Sequence, residues 1–447
     1  MVALHGQSRA LTLVSNLISE QDWLCGSFRG VAIALQRSWS ILPIIKKAST
    51  AMLDLTGRLT HFANPKADTK LAYSQSQKDV LCVAASGDAI RDIKTWPGYA
   101  VTPLYSFESL AADVDLACIW YKDESRRFDL KSFKALGGAY AVARQLQLAL
   151  EQKTGTRPDI ADLLKGCWKT EVAEIVVSCA TDGNHGRSVA WGAQMFGCGC
   201  VIYVHRDVTE GRKQAMEAYD AEVIRISGNY DESVRQADAD AKAHGRIIVS
   251  DTSYEGYMEI PKDVGLGYTV MLAEIVEQLD GEIPTHVFIQ GGVGGLAAAV
   301  FGYFWDLWGE KRPRFVVVEP EKANCLQQSA RAGEPVVVEG DLETLMAGLA
   351  CGEVSLLAWK ILETGANDFM TLSEDAIPLT MRMLAKGYRH DQAVEAGESA
   401  VPGLAAAIRA RQSGEFSAAL GLDRDSTVLV LGTEGATDPE LYQQLVG

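Results

Sequence analysis

The stretch EIVVSCATDGNHGRSVAWGAQMFGCGCVIYVH, residues 174–205, decides the fold. Its two ends, EIVVSC (174–179) and CVIYVH (200–205), are apolar runs of strand length, and the segment 185–196 between them is helix-like. Continuous apolar strands joined by a helix are typical of parallel strands covered on both faces. The stretch therefore predicts one βαβ unit of an α/β fold.

The same alternation continues along the chain. Five further strands are predicted: EVIRIS (222–227), RIIVSD (246–251), THVFIQ (285–290), RFVVVE (314–319) and TVLVLG (427–432). Two further helices are predicted over residues 209–219 and 230–244. The four evenly spaced strands up to residue 251 predict a small α/β domain over residues 136–251. Residues 61–135 with 252–447 form the predicted large domain, and residues 1–60 a predicted extension of unknown role.

Composition excludes several classes of protein. With 47% hydrophobic and 22% charged residues, the chain has the balance of a soluble globular protein. A formal net charge of -16 disfavours binding to nucleic acid or to an anionic membrane, and it tolerates a cationic substrate. No apolar run reaches the ~20 residues of a membrane span. The 9 cysteines are scattered without zinc-site spacing, so we expect free thiols and no metal.

The first 50 residues differ in charge from the rest, with five basic and two acidic residues. Transit peptides share this acid-poor character, and an irregular extension or an early start codon would fit equally well. We expect a cytoplasmic protein and leave organellar targeting open.

The glycine-rich stretch QGGVGGLAAAV, residues 290–300, follows a predicted strand and opens a predicted helix. Backbone amides at such a helix start can cradle a phosphate. Gly292, Gly294 and Ala297 also match a dinucleotide fingerprint, with Glu319 where a ribose-binding acid is expected. The loop alone therefore leaves open a nicotinamide oxidoreductase, a single phosphate site, or a tight turn without a ligand.

Two further segments carry chemistry. In KDESRRFDLKSFKALGGAYA, residues 122–141, Lys134 stands at a predicted helix start among apolar and small residues. A buried lysine loses its charge readily and suits an amine that attacks an aldehyde, and a solvated surface lysine is the alternative. In DGNHG, residues 182–186, the amides of a helix start can bind a carboxylate, and Asn184 can bind a ligand hydroxyl.

The Ser-x-Lys segment, the GNH loop and the GGVGG loop, in this order, resemble the fold-type-II pyridoxal-phosphate enzymes. A nicotinamide enzyme would explain only one of the three. Longer strings resemble the diaminopropionate ammonia-lyases over about residues 64–447: ATDGNHGRSVAW (180–191), SDTSYEGYMEIP (250–261), MAGLACGE (346–353), AGESAVPGLAA (396–406) and GTEGATD (432–438). Asp129, Lys131, Ser132 and Val354 stand where that family has Gly, Asn, Ala and Pro.

The resemblance implies two doubly wound α/β domains with pyridoxal 5'-phosphate in the cleft between them. It implies that Lys134 holds the cofactor covalently, that Asn184 contacts the ring hydroxyl and that Thr433 contacts the pyridine nitrogen. The implied phosphate loop is Gly291, Gly292, Val293, Gly294 and Gly295. Cys351 is expected to pack near the cofactor, and Glu398 either approaches the ring or anchors a loop.

The substrate carboxylate is expected at Thr181, Asp182, Gly183 and His185. The resemblance also puts Asp182 and Asp251 in the active site, where two carboxylates would select a β-ammonium group over a hydroxyl. Lys134 would take the α-proton of one enantiomer and Asp182 that of the other. The alternatives are a helix N-cap for Asp182, a structural role for Asp251 and a packed histidine at position 185.

The implied activity is the elimination of ammonia from 2,3-diaminopropionate to give pyruvate and two ammonia, a step of amino-acid catabolism. A serine/threonine or hydroxyaspartate dehydratase on the same scaffold is the first alternative. A non-catalytic ligand-binding relative is the second. We expect a small amino-acid substrate and a homodimer.

Overall fold

The structure is a computed structural model that describes residues 55–447. Its strands are β1 (Leu59–Ala63), β2 (Leu104–Ser106), β3 (Cys118–Asp123), β4 (Val176–Ala180), β5 (Gly199–Val204), β6 (Glu222–Arg225), β7 (Ile247–Ile248), β8 (His286–Gln290), β9 (Arg314–Pro320), β10 (Asp368–Leu372) and β11 (Thr427–Gly432).

The α-helices of these residues are α1 (Gln75–Lys78), α2 (Val83–Ile93), α3 (Glu108–Asp113), α4 (Lys134–Thr154), α5 (Ile160–Leu164), α6 (Lys169–Val172), α7 (Asn184–Phe196), α8 (Glu210–Glu217), α9 (Tyr230–His244), α10 (Glu259–Gln278), α11 (Gly295–Trp308), α12 (Cys325–Ala332), α13 (Leu356–Gly365), α14 (Ala376–Lys386), α15 (Pro402–Gln412), α16 (Gly414–Leu420) and α17 (Pro439–Val446).

The strands form a seven-stranded sheet in the order β1-β10-β9-β8-β11-β3-β2 and a four-stranded sheet in the order β6-β5-β4-β7. The strands β4 to β9 and β11 confirm the seven predicted ones, and α7, α8 and α9 confirm the predicted helices. The prediction of purely parallel sheets is wrong at the edges of the larger sheet. There β1 pairs antiparallel with β10, and β2 pairs antiparallel with β3.

Residues 55–447 belong to one compact unit that contains both sheets. The smaller sheet takes its strands from residues 176–248, within the predicted small domain, and the division into two domains remains a prediction. The predicted end of the N-terminal extension at residue 60 falls inside β1, and Leu55 is only 2% exposed. Residues 1–54, the rest of that extension, lie outside the described residues. No helix of residues 55–447 has the length and apolarity to cross a bilayer.

Small residues allow α4, α7 and α10 to pack very closely. A Cβ atom on Gly138 would lie 2.0 Å from the hydroxyl of Ser188, and one on Gly267 would lie 2.4 Å from the carbonyl oxygen of Leu136. A Cβ atom on Gly192 would lie 2.8 Å from Ala139. The glycines of KALGGAYA therefore bring α4, which begins at Lys134, against its two neighbours.

A fully buried cluster of charges supports the segment that leads to Lys134. Glu274 of α10 contacts Lys122 at 2.8 Å and Arg127 at 2.7 Å, and Arg127 also contacts Glu124 at 2.8 Å. All four side chains are at most 1% exposed. Two cations and two anions balance within this cluster, which ties the turn Glu124–Asp129 to α10.

Candidate active site

The predicted site residues follow the carboxyl ends of strands from both sheets, where ligands bind in α/β folds. Lys134 comes after β3, Asn184 after β4, Asp251 after β7, the glycine loop after β8 and Thr433 after β11. Hydrogen bonds of the backbone and of side chains join these segments. The amide of Phe133 donates to the carbonyl of Thr433 at 3.0 Å, and Asn184 donates to the carboxylate of Glu434. The structure therefore brings the predicted residues to one place.

Lys134 begins α4, as predicted, and its ammonium pairs with the carboxylate of Asp251. Its backbone carbonyl accepts the hydroxyl of Ser188 at 2.7 Å. Burial alone would lower the pKa of Lys134, but the Asp251 carboxylate outweighs burial and raises the pKa above its usual value. The expectation that burial makes this lysine lose its charge readily is thus wrong in this structure, because a carboxylate faces it.

Asp251 sits between two nitrogen groups. Nδ1 of His185 lies 3.8 Å from Oδ2 of Asp251, on the carboxylate oxygen that also contacts Lys134. Burial would raise the pKa of Asp251, but Lys134 and then His185 hold that pKa below its usual range. Asp251 is therefore an anion that faces the predicted reactive lysine.

His185 is 7% exposed, and its Nε2 lies 2.8 Å from the carbonyl oxygen of Val249. Because a carbonyl only accepts, the Nε2 proton belongs to this bond. The ring thus makes a packing contact on one side, as in the alternative stated above. Its predicted contact with the substrate carboxylate remains a prediction.

At the DGNHG turn, the N-terminus of α7 is capped by the side chain of Thr181 and not by that of Asp182. The Thr181 hydroxyl accepts the amides of Gly183 and Gly186, both at 3.1 Å. The N-cap alternative for Asp182 is wrong, because α7 has no capping hydrogen bond from that side chain. The amide of Gly183 is used within the turn, whereas the amides of Asn184 and His185 have no acceptor among residues 55–447. These two amides are the better candidates for a substrate carboxylate.

Asp182 has a neighbour that the sequence analysis missed. Nε2 of His205, the residue that follows β5, lies 2.9 Å from Oδ1 of Asp182. The Asp182 side chain remains 37% exposed. The strand CVIYVH ends in this histidine, so the rule that sites form at the carboxyl ends of parallel strands was the available signal.

The glycine loop has the properties of a phosphate site. The amides of Gly292, Val293 and Gly295 have no acceptor within the described part of the chain, whereas those of Gly291 and Gly294 bond to backbone carbonyls. A Cβ atom on Gly291 would lie 2.7 Å from Glu319, and Gly294 has φ +94°. Free amides at the start of α11 favour an anion.

Glu319 is not placed to bind a ribose. It is fully buried, and its two carboxylate oxygens accept the amides of Leu326 and Gln327 at the start of α12, each at 2.8 Å. Burial raises the pKa of Glu319 to about 8. This geometry removes the dinucleotide interpretation of the loop, because the acid that it requires is occupied in capping a helix.

Around Thr433, Gln290 organises the backbone. Its side-chain amide donates to the carbonyl of Leu431 at 2.9 Å and to the Thr433 hydroxyl at 3.3 Å, and that hydroxyl donates to Ser399 at 3.2 Å. Glu398 pairs with Arg212 at 3.1 Å, in agreement with the loop-anchoring alternative. Burial, and then Glu434, raises the pKa of Glu398 to about 7.

The carboxylates of Asp182 and Asp251 both contribute to the raised pKa values of two further residues, Cys351 and Tyr230. Burial raises the pKa of Cys351 to about 12, with Asp182 and Asp251 adding to it. The pKa of Tyr230 is raised well above its usual value by removal from water and then by the same two carboxylates, although 41% of the residue is exposed. Tyr230 is the first residue of α9.

These residues fit pyridoxal 5'-phosphate. Three free amides at a helix start suit its phosphate, the Lys134 amine suits its aldehyde, and the Asn184 and Thr433 side chains offer polar contacts for its ring. No group of metal-ligating side chains occurs within residues 55–447.

Comparison with known proteins agrees with the site. Residues 95–433 match the family model described as "Pyridoxal-phosphate dependent enzyme". The diaminopropionate ammonia-lyase of Escherichia coli (strain K12) is 40% identical over 355 residues, which are 78% of this chain and 88% of that protein. The chain belongs to the diaminopropionate ammonia-lyase family. The Salmonella typhimurium member is 36% identical over 369 residues, 79% of this chain and 89% of that protein.

Solved structures of this family have the same fold. Holo diaminopropionate ammonia lyase from E. coli matches with a TM-score of 0.79 at 36% identity, over 88% of this chain and 97% of that chain. The same enzyme in complex with an aminoacrylate-PLP azomethine reaction intermediate matches with a TM-score of 0.77 at 36% identity, with the same coverage. The fold is therefore type II of the pyridoxal-phosphate enzymes, and a nicotinamide oxidoreductase is excluded.

Proposed function

We propose that the protein converts 2,3-diaminopropionate to pyruvate and two molecules of ammonia with bound pyridoxal 5'-phosphate. The observation that supports this proposal is the pair of carboxylates Asp182 and Asp251: Asp251 pairs with Lys134, and both carboxylates act on the buried thiol of Cys351. Neither of them caps a helix. A β-ammonium group left partly out of water needs such anionic partners, whereas a β-hydroxyl group does not.

When bound, pyridoxal 5'-phosphate supplies a conjugated ring that stabilises negative charge at the substrate α-carbon. Lys134 would hold the cofactor, and the amides of Gly292, Val293 and Gly295 would hold its phosphate. The Asn184 amide and the Thr433 hydroxyl orient the ring. A neutral hydroxyl such as that of Thr433, in place of a carboxylate, would leave the ring nitrogen unprotonated and would favour elimination over transamination.

The chain offers two groups for the α-proton. Lys134, once its amine is free, takes the proton from one enantiomer, and Asp182 takes it from the other. The amides of Asn184 and His185 bind the substrate carboxylate and fix the α-carbon between these bases. Asp251, already an anion, pairs with the leaving β-ammonium group.

A dehydratase of serine, threonine or hydroxyaspartate is the second candidate on this scaffold. A probable D-serine dehydratase of Ectopseudomonas mendocina is 24% identical over 435 residues, well below the 40% of the ammonia-lyase relative. The two anions also favour a cationic β-group over a hydroxyl group.

A substrate panel tests the proposal. Purified holoenzyme is incubated with each enantiomer of diaminopropionate, serine and threonine, and pyruvate or 2-oxobutyrate and ammonia are quantified. Diaminopropionate should give two ammonia for each pyruvate and the highest kcat/KM. Higher kcat/KM for serine, with one ammonia for each pyruvate, would instead identify a dehydratase.

We further propose that the enzyme is a homodimer and acts in the cytoplasm. Light scattering during size-exclusion chromatography measures the mass, and a monomeric mass at micromolar concentration would contradict the first statement. Fractionation of cells that express the full chain tests the second.

A further inference from the structure

We propose that His205 is a positioning residue for Asp182: it holds one carboxylate oxygen and leaves the other to accept the substrate α-proton. This inference rests on the proposed function, because it assigns a supporting residue to the second base. No motif in the sequence marked this histidine.

The geometry separates the two oxygens of Asp182. His205 directly follows β5, the strand beside β4, whose end leads into Asp182. Oδ1 of Asp182 is enclosed by protein and accepts no well-aligned hydrogen bond from the described residues, but Nε2 of His205 lies 2.9 Å from it in a charge contact. Because the side chain is nevertheless 37% exposed, its accessible oxygen is Oδ2. One oxygen thus lies against His205, and the other is the one open to solvent and substrate.

The backbone sets the tautomer of the ring. The amide of Asp207 donates to Nδ1 of His205 at 3.2 Å. An amide nitrogen only donates, so Nδ1 carries a lone pair in the neutral ring and the proton sits on Nε2, facing Asp182. The Asp207 carboxylate, with Oδ2 3.6 Å from Nδ1, is in place to face a second ring proton.

The charge of the ring then controls Asp182. The Asp182 contact raises the pKa of His205 above its ordinary value, against the effect of burial. The groups that face the pair are Asp207 on its own loop, Arg212 of α8 at 3.5 Å from the Asp182 carbonyl, and Tyr230 of α9. An imidazolium would bind the carboxylate too strongly for it to take a proton. The neutral ring is therefore the form that supports catalysis.

Nuclear magnetic resonance tests the contact without any turnover. The holoenzyme is labelled with ¹⁵N at its 7 histidines, and the His205 signals are assigned as those missing from His205→Gln. We expect the Nε2–H tautomer, and a His205 pKa that falls toward 6.5 in Asp182→Asn. An Nδ1–H tautomer, or a pKa unchanged by Asp182→Asn, overturns the proposal.

Kinetics tests the positioning role. His205→Gln retains an N–H donor near the Nε2 position but does not titrate, and His205→Leu removes the donor. The D-to-L ratio of kcat/KM should fall about 10- to 100-fold in His205→Leu, because the buried oxygen of a charged carboxylate loses its polar neighbour. In His205→Gln the D-to-L ratio of kcat/KM should return to within a few fold of the wild-type value. The acid limb of the pH profile of kcat/KM for the D-enantiomer should move to lower pH.

The matched control is His244→Gln, which changes an exposed histidine at the end of α9 and should alter neither the ratio nor the profile. An unchanged ratio in His205→Leu overturns the positioning role. The proposed function fails separately, if the wild-type holoenzyme releases no pyruvate from either enantiomer of diaminopropionate, and the resonance measurements are unaffected by that outcome.

Discussion

The hydroxyl of Thr181 accepts the backbone amide of Gly186 at 3.1 Å, so the threonine, and not the aspartate beside it, completes the first turn of α7. The consequence concerns Asp182, whose carboxylate contributes no hydrogen bond to the helix. Thr181 therefore stabilises the helix, and Asp182 is free for the proposed chemistry. A substitution at one of the two positions can thus test its role without removing the other.

The first prediction uses this division. Asp182→Asn should change the free energy of unfolding little, because no cap is lost, whereas Thr181→Val should lower it by about 1 kcal/mol or more. Asp182→Asn should reduce turnover of the D-enantiomer by about 100- to 10,000-fold, and that of the L-enantiomer less, since Lys134 serves the other face. Urea unfolding and steady-state rates measure the two effects. Equal losses for both enantiomers would remove the second-base role and leave recognition of the β-ammonium.

Gly294 and Gly295 make a matched pair in the phosphate loop. Gly294→Ala requires φ +94° with a Cβ atom 2.9 Å from Leu362, so we expect a loss of about 1–3 kcal/mol in unfolding free energy and weaker cofactor binding. Gly295→Ala begins α11 with its nearest contact at 3.6 Å and should fold normally. Thermal unfolding of the apoenzyme and cofactor titration measure both variants. Equal stability in the two would show that the backbone of this loop is not strained by a side chain.

Asp129 is left-handed, with φ +58°. Asp129→Gly should raise the free energy of unfolding by about 1 kcal/mol, because a Cβ atom is costly in that conformation. Asp129→Ala keeps the Cβ atom and should give no such gain. Chemical denaturation of the three proteins measures the difference, and a gain in the alanine variant would point to the charge instead of the backbone.

Glu319 gives a pH dependence of stability. Its folded pKa of about 8 lies above the usual 4.5, so the folded state binds this proton more tightly than the unfolded chain does. Its contribution to stability is therefore greatest below pH 4.5 and falls as the pH rises toward 8. Glu319→Gln lacks this fall, although the loss of one acceptor costs about 1–3 kcal/mol at every pH. Parallel stability curves for the two proteins between pH 5 and 8 would contradict the raised pKa.

The sequence predicted the parts of the fold that local pattern controls. The buried strands β8 and β9 are continuous apolar runs, and α9 was predicted with its observed bounds, 230–244. Four strands of residues 55–447 were missed. The edge strands β1 and β2 are short and partly exposed, so no pattern distinguishes them from loops, whereas β3 and β10 lie inside the sheet but carry polar residues that interrupt the apolar run. The antiparallel pairing of β1 and β2 depends on long-range partners that local sequence does not reveal.

At the site, motifs predicted the residues but not their pairings. Lys134 and Asp251 are 117 positions apart, and only the fold shows that each sets the charge of the other. The capping role of Thr181 and the contact of His205 with Asp182 likewise depend on the geometry of β4 and β5. Resemblance to a family identifies which residues belong to the site. The protonation state of each residue depends on the side chains that lie near it in the folded structure.

The buried cluster of Lys122, Glu124, Arg127 and Glu274 also restricts which substitutions the protein tolerates. Any single loss of charge leaves an uncompensated ion in a site with at most 1% exposure, at a cost of several kcal/mol. Replacement of a cation together with its anion keeps the cluster neutral. Substitutions here should therefore be tolerated in pairs, so that the strand before the lysine segment and the helix α10, some 150 residues later, change together through evolution.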